Sequence, residues 1–472
     1  MKQINQIYVN GQFVKPHGKT VMDLINPSTK QVIGQVTLGD EKDTQDAIVA
    51  AKAAFKTFSR TSVEERSNML QRLHDVIIKH ADELNRVAVE EYGSPVAATA
   101  GRTQFAAQTF LLAKETLQDF EFVKQVGRST VFMQPLGVIG AITPWNADYT
   151  HIANKLAPAI ATGCTIVIKP SELSALQTQV FIECLHEAGI PAGVINIVNG
   201  AGEVVGNELS RHPDVAMISF TGSTQVGKII RKNATDTMKR VALELGGKSP
   251  NIILDDADFS KAIPMALTIA FSNSGQACHA GTRLIVPEQR LEEVKELVRQ
   301  SAEVVKVGDP RNKDSYVGPM VSQKQYDTVQ RYIRSALKEG AELVIGGEGH
   351  PEGLEGGYFA KPTVFAHVSS DMTIAREEIF GPVLSILTYK TEEEAIDIAN
   401  DTVYGLAAYI SSSNVDRAKK VAAQVLAGRI MINKAVQDEP KAPFGGFKQS
   451  GIGRDSGVYG LEEYVEPKAI LS

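Results

Sequence analysis

Residues 165–198 read TIVIKPSELSALQTQVFIECLHEAGIPAGVINIV, and this segment shows most clearly how the chain is built. Two short runs rich in β-branched residues, Thr165–Ile168 and Val194–Val198, predict strands, and Leu176–Glu187 between them has the apolar spacing of a helix. A strand, a helix and a second strand at this spacing form a βαβ unit, in which the strands are parallel. The segment therefore predicts an α/β fold built on a parallel sheet.

The same alternation continues on both sides of this segment, and a second run of the same type opens at Asn251–Leu254 and extends to about residue 432. In chain order, the further predicted elements are an Asn-Gly hairpin at 8–14, a helical block at 43–120, extended chain at 131–143, a helix at 151–161, a helix at 203–210, a strand at 215–220 and a helix at 223–232. We therefore expect two parallel-sheet regions after a helical amino-terminal block.

The composition is that of an ordinary globular protein. Of 472 residues, 43% are hydrophobic and 22% are charged, and a chain of this length is expected to form two or three domains. It has 49 basic and 55 acidic residues, a net charge of −6 that argues against nucleic acid or an anionic membrane as a partner. No apolar run approaches the roughly 18 residues that span a bilayer, and the amino terminus lacks the apolar core of a secretory signal.

The chain has three cysteines, Cys164, Cys184 and Cys278. They are too few for a disulfide framework, which suits the reducing cytosol. Cys164 begins an apolar strand and Cys184 lies in the middle of a helix, so both are predicted to be small buried hydrophobic residues. We expect a soluble cytoplasmic protein with no resident metal.

Two motifs carry reactive groups. Residues 275–283 read GQACHAGTR and place the Cys278 thiol in a turn of small polar residues and glycine. Some thirty residues earlier, residues 243–248 read LELGGK and offer the carboxylate of Glu244 beside a flexible turn. A nucleophile and a candidate base that can converge in the fold suggest covalent catalysis.

Both motifs resemble the two signature motifs of the NAD(P)-dependent aldehyde dehydrogenase superfamily, and the resemblance continues in matching order and spacing from about Ile7 to Lys468. It implies two Rossmann-like parallel-sheet domains and a β-hairpin oligomerisation element. The implied boundaries are 1–116 and 136–246 for an NAD-binding domain, 247–449 for a catalytic domain, and 117–135 and 450–472 for the oligomerisation element. A hairpin near Phe120–Met133 that pairs with a neighbouring subunit implies a homodimer or homotetramer.

By this resemblance, three residues oxidise a small-molecule aldehyde to a carboxylic acid. The Cys278 thiolate attacks the aldehyde carbon, Asn146 and the backbone N–H of Cys278 bind the developing alkoxide, and Glu244 activates the water that hydrolyses the thioester. The leucines on either side of Glu244 are expected to desolvate it and raise its pKa. From the residues alone, Asn146 could instead cap the following helix, and Glu244 could be a surface charge at a strand end.

Two other functions stay open. A coenzyme A-acylating aldehyde oxidoreductase would pass the acyl group to coenzyme A, although such relatives generally lack a glutamate at the position of Glu244. A catalytically silent binding relative would have no reason to retain Cys278, Asn146 and Glu244 together.

The strand, glycine turn and helix predicted at Met217–Gly227 form a candidate nucleotide site, because backbone N–H groups at a helix start favour a phosphate. The glycines do not match the G-x-G-x-x-G dinucleotide pattern. They satisfy the G-x-x-x-x-G-K pattern of ATP-binding loops, but Ile229 stands where a Mg²⁺-binding hydroxyl is needed. This substitution argues against a nucleotide triphosphatase.

By the resemblance, the cofactor is NAD, with NADP less favoured. Lys169 and Glu172 follow a strand and would reach the adenosine ribose, where Glu172 repels a 2′-phosphate; from the residues alone they could be a solvated charge pair. Glu378 would bind the nicotinamide ribose, and Phe380 would pack near the nicotinamide. The full set of implied cofactor contacts is Ile142, Thr143, Trp145, Lys169, Glu172, Phe220, Gly222, Ser223, Val226, Leu245, Glu378 and Phe380.

The implied substrate tunnel contains Ala147, His151, Asn154 and Phe444, with a later loop at Lys434–Lys441. Polar and charged residues stand where relatives that favour aliphatic aldehydes have aromatic ones. We therefore predict a preference for small polar or hydroxylated aldehydes over long alkanals, unless these side chains face bulk solvent. Lys155 and Lys448 also match family positions, with no role assigned, and His279 is read as a packing residue.

Overall fold

The computed structural model describes residues 2–435 and 439–471. Its strands are β1 Lys2–Ile4, β2 Ile7–Val9, β3 Gln12–Val14, β4 Val21–Ile25, β5 Val32–Thr37, β6 Val123–Val126, β7 Ser129–Pro135, β8 Val138–Ile142, β9 Thr165–Lys169, β10 Ile195–Ile197, β11 Val215–Thr221, β12 Arg240–Glu244, β13 Pro250–Ile253, β14 Arg283–Pro287, β15 Glu342–Ile345, β16 Thr363–Ala366, β17 Val383–Tyr389, β18 Ala407–Ser411, β19 Arg429–Ile432, β20 Gly451–Ile452 and β21 Val465–Ile470. Its α-helices are α1 Glu41–Phe58, α2 Val63–Lys79, α3 Ala81–Val87, α4 Val96–Asp119, α5 Asp148–Thr162, α6 Ala175–Glu187, α7 Asn207–Arg211, α8 Thr224–Asn233, α9 Phe259–Phe271, α10 Leu291–Gln300, α11 Gln323–Lys338, α12 Thr373–Arg376, α13 Glu392–Asn400, α14 Val415–Ala422 and α15 Gly457–Glu462.

The helical block predicted at residues 43–120 corresponds to α1–α4, and no strand interrupts it. Reciprocal capping boxes start its first two helices: Asp40 pairs with Asp43 at α1, and Ser62 pairs with Glu65 at α2. The long helix α4 packs against α2 and α5. Among the described residues, the structure contains no helix with the length and apolarity that crossing a membrane requires.

The first sheet has the strand order β20-β12-β11-β8-β9-β10-β2-β3. Its five middle strands, from β12 to β10, are parallel. β8 and β9 are buried along their whole length because α1 and α5 pack against them, which explains their continuous apolar sequences. The β2–β3 hairpin turns through Asn10 and Gly11, both with positive φ, as the sequence predicts.

The carboxyl ends of four parallel strands in this sheet lie side by side. Ile142 at the end of β8 is in register with Lys169 of β9 and with Phe220 of β11. Thr221 of β11 is in register with Glu244, the last residue of β12. Because α/β sheets bind ligands outside the carboxyl ends of their strands, the fold gathers the predicted cofactor contacts and the predicted base at one edge.

The second sheet has the order β15-β16-β17-β14-β13-β18-β19 and is parallel except for the edge pair β15–β16. Arg283, the first residue of β14, is buried, and its guanidinium donates to the carbonyls of Lys248, Ile398 and Ala399. We call residues 272–282, which contain Cys278, the cysteine turn. These hydrogen bonds connect the segment after Glu244 to the strand that follows the cysteine turn.

A separate antiparallel sheet consists of β6, β7 and β21. Its β6–β7 hairpin lies where the resemblance implies the oligomerisation hairpin, and the carboxyl-terminal β21 pairs along β7. Earlier in the 450–472 segment, β20 pairs with β12 and so extends the first sheet. The division of the chain into three functional parts stays a prediction.

Candidate active site

The cysteine turn follows α9 and contains three consecutive residues in the left-handed region. Asn273, Ser274 and Gly275 have φ values of 51°, 59° and 70°. A Cβ on Gly275 would clash with the backbone of Gly381, so this position requires glycine for both its conformation and its close approach. The turn leads into β14 and presents Cys278 between the two large sheets.

Cys278 is half-buried and lies directly on the glycine turn of the LELGGK motif. A Cβ on Gly247 would come within 2.5 Å of the Cys278 carbonyl oxygen, so the two motifs pack backbone to backbone. Burial raises the pKa of the Cys278 thiol to about 12, and the nearby Glu378 and Glu244 carboxylates add to that rise. The backbone N–H groups of Cys278 and His279 act in the opposite direction because they favour the thiolate.

The other two thiols have no such surroundings. Cys164 and Cys184 are 0% and 1% exposed within the hydrophobic core, and burial raises the pKa of both. The prediction that they are buried core residues is confirmed.

Glu244 is 4% exposed, so it is not a surface charge. Burial raises the pKa of its carboxyl well above the ordinary value, Asp455 adds to this, and Lys155 and Arg454 oppose it. Its Oε2 is buried without a hydrogen-bond partner among the described residues. A Cβ on Gly445 would lie 2.8 Å from Oε1, so the absence of a side chain there makes room for the carboxylate.

Asn146 is 6% exposed and adjoins the cysteine turn. Its Nδ2 donates to the carbonyl of Gln276 at 3.0 Å, and its own carbonyl accepts from Asn273 Nδ2 at 3.0 Å. Ala147 is the N-cap of α5, without a side-chain capping bond. The alternative that Asn146 caps this helix is therefore wrong. We call Cys278, Asn146 and Glu244, which these contacts bring to one place, the floor of the site.

The predicted phosphate site lies at the start of α8. Ser223 is the N-cap, its Oγ accepting from the N–H of Val226 at 3.3 Å. A Cβ on Gly222 would clash with the ring of Phe220, and one on Gly227 would lie 2.6 Å from Leu245. The cap takes the Val226 N–H, while the N–H groups of Thr224 and Gln225 have no acceptor among the described residues and are available to an anion. Val226 leaves 41% of its surface exposed beside them.

The remaining predicted cofactor contacts flank this turn. Lys169 Nζ lies 2.8 Å from Glu172 Oε2, so the two form an ion pair at the end of β9. Glu378 Oε1 accepts from the N–H of Gly247 at 3.1 Å, and burial raises the pKa of Glu378 to about 7. Phe380 lies edge-on to Trp145 with ring centroids 5.4 Å apart.

An orphaned polar atom tests whether these residues fit a dinucleotide. Thr143 Oγ1, directly after Ile142 at the end of β8, is buried without a partner among the described residues. With the N–H groups of Thr224 and Gln225 at the start of α8 and the carboxylates of Glu172 and Glu378, the edge offers donors for phosphate and acceptors for ribose hydroxyls. The residues present therefore fit a dinucleotide.

The predicted tunnel residues lie on α5 and beside Glu244. Asn154 borders a cavity of about 210 Å³ between α4, α5 and α15, together with Phe105 and Thr109 of α4. His151 lies one turn before Asn154 and is half-buried, and burial, aided by nearby cationic groups, lowers its pKa to about 3. We call the facing sides of α4 and α5 the helix wall.

The other tunnel residues lie elsewhere. Ala147 is half-buried beside Asn146, and the ring of Phe444 lies 5.3 Å from the Arg429 guanidinium. In the loop predicted at Lys434–Lys441, residues 436–438 are outside the described residues.

The structure shows what Lys155 and Lys448, which the sequence left without a role, contact, and it adds Arg102, which was not identified from the sequence. Lys155 is fully buried and pairs with Asp455 at 3.0 Å, 300 positions away. Lys448, by contrast, donates to the backbone carbonyls of Asn400 and Thr402, so it fastens a loop. Arg102 is the only charged residue in Val96–Ala113, a signal that the sequence does offer.

No group of three or more His, Cys, Asp or Glu side chains suited to a metal occurs in the part of the chain that the structure describes.

Comparisons with known proteins agree with this geometry. The profile of the Aldehyde dehydrogenase family matches residues 13–470. A 3-succinoylsemialdehyde-pyridine dehydrogenase from Pseudomonas sp is 45% identical over 100% of this chain and 99% of its own, and a putative aldehyde dehydrogenase from Staphylococcus haemolyticus is 44% identical over the same shares.

Solved structures are similarly close. An aldehyde dehydrogenase C mutant from Pseudomonas syringae, complexed with NAD+ and octanal, superposes with a TM-score of 0.97 at 44% identity, covering 99% of this chain and 96% of its own. A betaine aldehyde dehydrogenase from Staphylococcus aureus in complex with NAD+ superposes with a TM-score of 0.96 at 36% identity, covering 99% of this chain and 94% of its own. These matches confirm the predicted fold class. The chain belongs to the aldehyde dehydrogenase family.

Proposed function

We propose that this chain oxidises an aldehyde to a carboxylic acid with NAD, through a thioester on Cys278 that water hydrolyses. The observation that carries the proposal is the buried Glu244 carboxylate, whose Oε2 has no partner in the described structure and whose strand leads into the turn that touches Cys278. Relatives of known structure hold NAD+, and the residues at the sheet edge fit it. When bound, NAD accepts the hydride that leaves the aldehyde carbon.

The floor residues carry out the first half of the reaction. The Cys278 sulfur adds to the aldehyde carbon to give a thiohemiacetal, whose oxygen becomes negative. Asn146 Nδ2 has two hydrogens and gives one to Gln276, so the other is available to that oxygen together with the N–H of Cys278. A donor held in place in this way is worth roughly 10²–10³ in rate.

Glu244 serves the second half. Its raised pKa makes it a stronger base than an exposed glutamate, and its free Oε2 can accept a proton from water. The resulting hydroxide attacks the thioester carbonyl, the carbon–sulfur bond breaks, and the acid leaves. This glutamate counts against transfer to coenzyme A, and the intact floor counts against a silent relative.

The test replaces Glu244 with glutamine, which is isosteric but cannot act as a base. We expect a burst of about one NADH per active site, because acylation survives, followed by a stall of the acyl enzyme. Full steady-state turnover of Glu244→Gln without coenzyme A would reject the mechanism. Faster wild-type turnover on adding coenzyme A, with an acyl-coenzyme A product, would instead support the acylating alternative.

The preference for NAD over NADP rests on Glu172, held by Lys169 at 2.8 Å. A carboxylate accepts ribose hydroxyl protons and repels a 2′-phosphate. Glu172→Gln should raise the ratio of kcat/KM for NADP to that for NAD, whereas Glu183→Gln on the exposed side of α6 should not.

The proposed substrates are small polar aldehydes, because the helix wall carries His151 and Asn154 where long alkyl chains would need apolar contacts. The Pseudomonas syringae relative was solved with octanal, a long alkanal, while the Pseudomonas sp relative is named for a semialdehyde. Comparison of kcat/KM for glycolaldehyde, propanal, hexanal and octanal tests this preference. Efficiency that rises with alkyl length would refute it.

We also propose that the chain forms a homodimer or homotetramer through the β6–β7–β21 sheet, in the cytoplasm. The outer strand β6 leaves Val123 and Val126 54% and 62% exposed along an unpaired edge, a surface that favours strand pairing. Light scattering at micromolar concentration should give a multiple of the chain mass. A monomer would contradict the oligomer.

A further inference from the structure

Arg102 on α4 is a cation that the proposed reaction does not use. Its Nη2 donates to Asn273 Oδ1 at 2.7 Å, and its guanidinium lies 5.1 Å from the centroid of the Tyr92 ring. Its Nη1 is buried without a hydrogen-bond partner among the residues that the structure describes. No carboxylate of the described residues lies in ion-pair contact with it. The Nη1 donor of this charged side chain is therefore available to a ligand.

Arg102 contacts the cysteine turn through Asn273 and lies on the same helix as two residues that line the cavity. Arg102 is one helical turn before Phe105 and two turns before Thr109, so the three share one face of α4, and the latter two line the 210 Å³ cavity. Asn273, which Arg102 holds, donates to the carbonyls of Asn146 and Gln276 at 3.0 Å each. Along α4, Arg102 therefore lies on the side of Phe105 and Thr109 that is nearer the cysteine turn.

The described charged groups near Arg102 do not offset its positive charge. His151 is close enough for Arg102 to depress its pKa, and with burial as the main cause that pKa falls to about 3, so the imidazole is neutral. Burial also lowers the pKa of His279, with Arg429 adding to the effect. Lys155 is neutralised by Asp455 at 3.0 Å. Among the described residues, the charge of Arg102 is therefore left without a carboxylate partner at the inner end of the helix wall.

We propose that Arg102 Nη1 binds a carboxylate at the far end of the substrate, so that the preferred substrates are ω-oxo acids, which carry an aldehyde at one end and a carboxylate at the other. A charged acceptor is favoured over a neutral one because it also compensates the buried positive charge, which is costly to leave unpaired. This inference rests on the proposed function. The aldehyde carbon loses a hydride to NAD and gains an oxygen from water, so the product is a dicarboxylate.

Arg102 also supports Asn273, and through it the carbonyl of Asn146, so a purely positional role has to be separated from substrate recognition. The two roles differ in what they change. Loss of positioning would lower kcat for every aldehyde alike. Loss of carboxylate binding would raise KM only for substrates that carry the charge.

The test measures kcat and KM for 4-oxobutanoate, 5-oxopentanoate, their methyl esters and butanal, with wild-type enzyme, Arg102→Met and Arg102→Lys. We expect wild type to prefer the free acids to their esters, and Arg102→Met to lose roughly 10- to 100-fold in kcat/KM for the acids, mainly through KM. Esters and butanal should change by less than about threefold, and Arg102→Lys should recover part of the loss. The matched control is Arg290→Met, since Arg290 also lies over an aromatic ring, Phe259 at 4.0 Å, just before α10, and should leave all values unchanged.

Equal losses for acids, esters and butanal would overturn the inference and leave Arg102 a positioning residue. A wild-type enzyme that does not prefer acids over esters would also overturn it. If wild type reduces no NAD with butanal or with any of the acids, the proposed function itself fails.

Discussion

The floor of the site and the helix wall are built by different means. The floor is fixed by contacts to the backbone: Gly247 packs against the Cys278 carbonyl, and the Asn146 side chain donates to the carbonyl of Gln276. The wall is fixed by side chains of two helices, as where Thr109 Oγ1 lies 3.4 Å from Asn154 Oδ1. Changes to the floor should therefore impair the reaction for every aldehyde, and changes to the wall should alter which aldehydes react.

The largest effect is expected from Cys278→Ala. Removal of the nucleophile should lower aldehyde oxidation about 10³-fold or more for all substrates, because no thioester can form. The matched control is Cys184→Ala, a thiol in the core of α6 that is 1% exposed and should leave kcat/KM unchanged if the protein stays folded. Steady-state rates with NAD, and the mass of the enzyme trapped with substrate, measure the outcome. A Cys278→Ala enzyme with a tenth of normal activity would show that the sulfur is not the nucleophile.

The floor and the wall each contain an asparagine, so Asn146→Ala and Asn154→Ala remove the same side chain from the two regions. Loss of the Asn146 side chain should lower kcat roughly 10²–10³-fold with little change in KM, since the amide acts on the transition-state oxygen. Asn154→Ala removes an identical amide from the wall and should alter KM for some aldehydes only. If both variants lower kcat/KM by the same factor for every aldehyde, the floor and the wall do not differ in the way proposed.

Glu244→Gln should raise thermal stability at neutral pH while it stops turnover. The folded-state pKa of Glu244 is raised, so its protonated form fits the fold better and wild type loses stability as pH rises from the unfolded value of about 4.3 through the folded one. Glutamine cannot ionise, so the Tm of Glu244→Gln should rise above that of wild type over this pH range. The difference should then level off at roughly 1–3 °C. Thermal melts across pH 4–8 measure it.

The control carboxylate for those melts is Glu187, whose pKa is shifted in the opposite direction. Its hydrogen bonds with Lys79 and His80 lower its pKa, so its stabilisation is present above the unfolded pKa and is lost as pH falls. Glu187→Gln should therefore lower Tm slightly at neutral pH and converge with wild type in acid. A Glu244→Gln melt that tracks this control would mean that the floor carboxylate is not destabilising.

The floor residues were proposed from short motifs at strand ends and turns. Their neighbours singled out Cys278 and Glu244 as a candidate nucleophile and base, the family resemblance supplied the roles of all three floor residues, and the adjacency of the two motifs follows from the fold. The contacts between distant elements could not: the Lys155–Asp455 pair joins positions 300 apart, and the left-handed Asn273 has no glycine to announce it. Sequence patterns report local geometry, whereas the wall depends on how two helices face each other.

The smallest effect is expected at the wall, from His151→Phe. A larger apolar ring at a neutral imidazole position should favour alkyl chains, so the ratio of kcat/KM for hexanal to that for glycolaldehyde should rise by about tenfold, while the Glu244→Gln burst remains one NADH per site in the double variant. His186→Phe is the matched control, because His186 is a helical histidine on α6, where it packs against Phe13 at 5.3 Å. If His151→Phe instead lowers kcat for both aldehydes equally, His151 belongs with the floor, and substrate choice is made elsewhere than between α4 and α5.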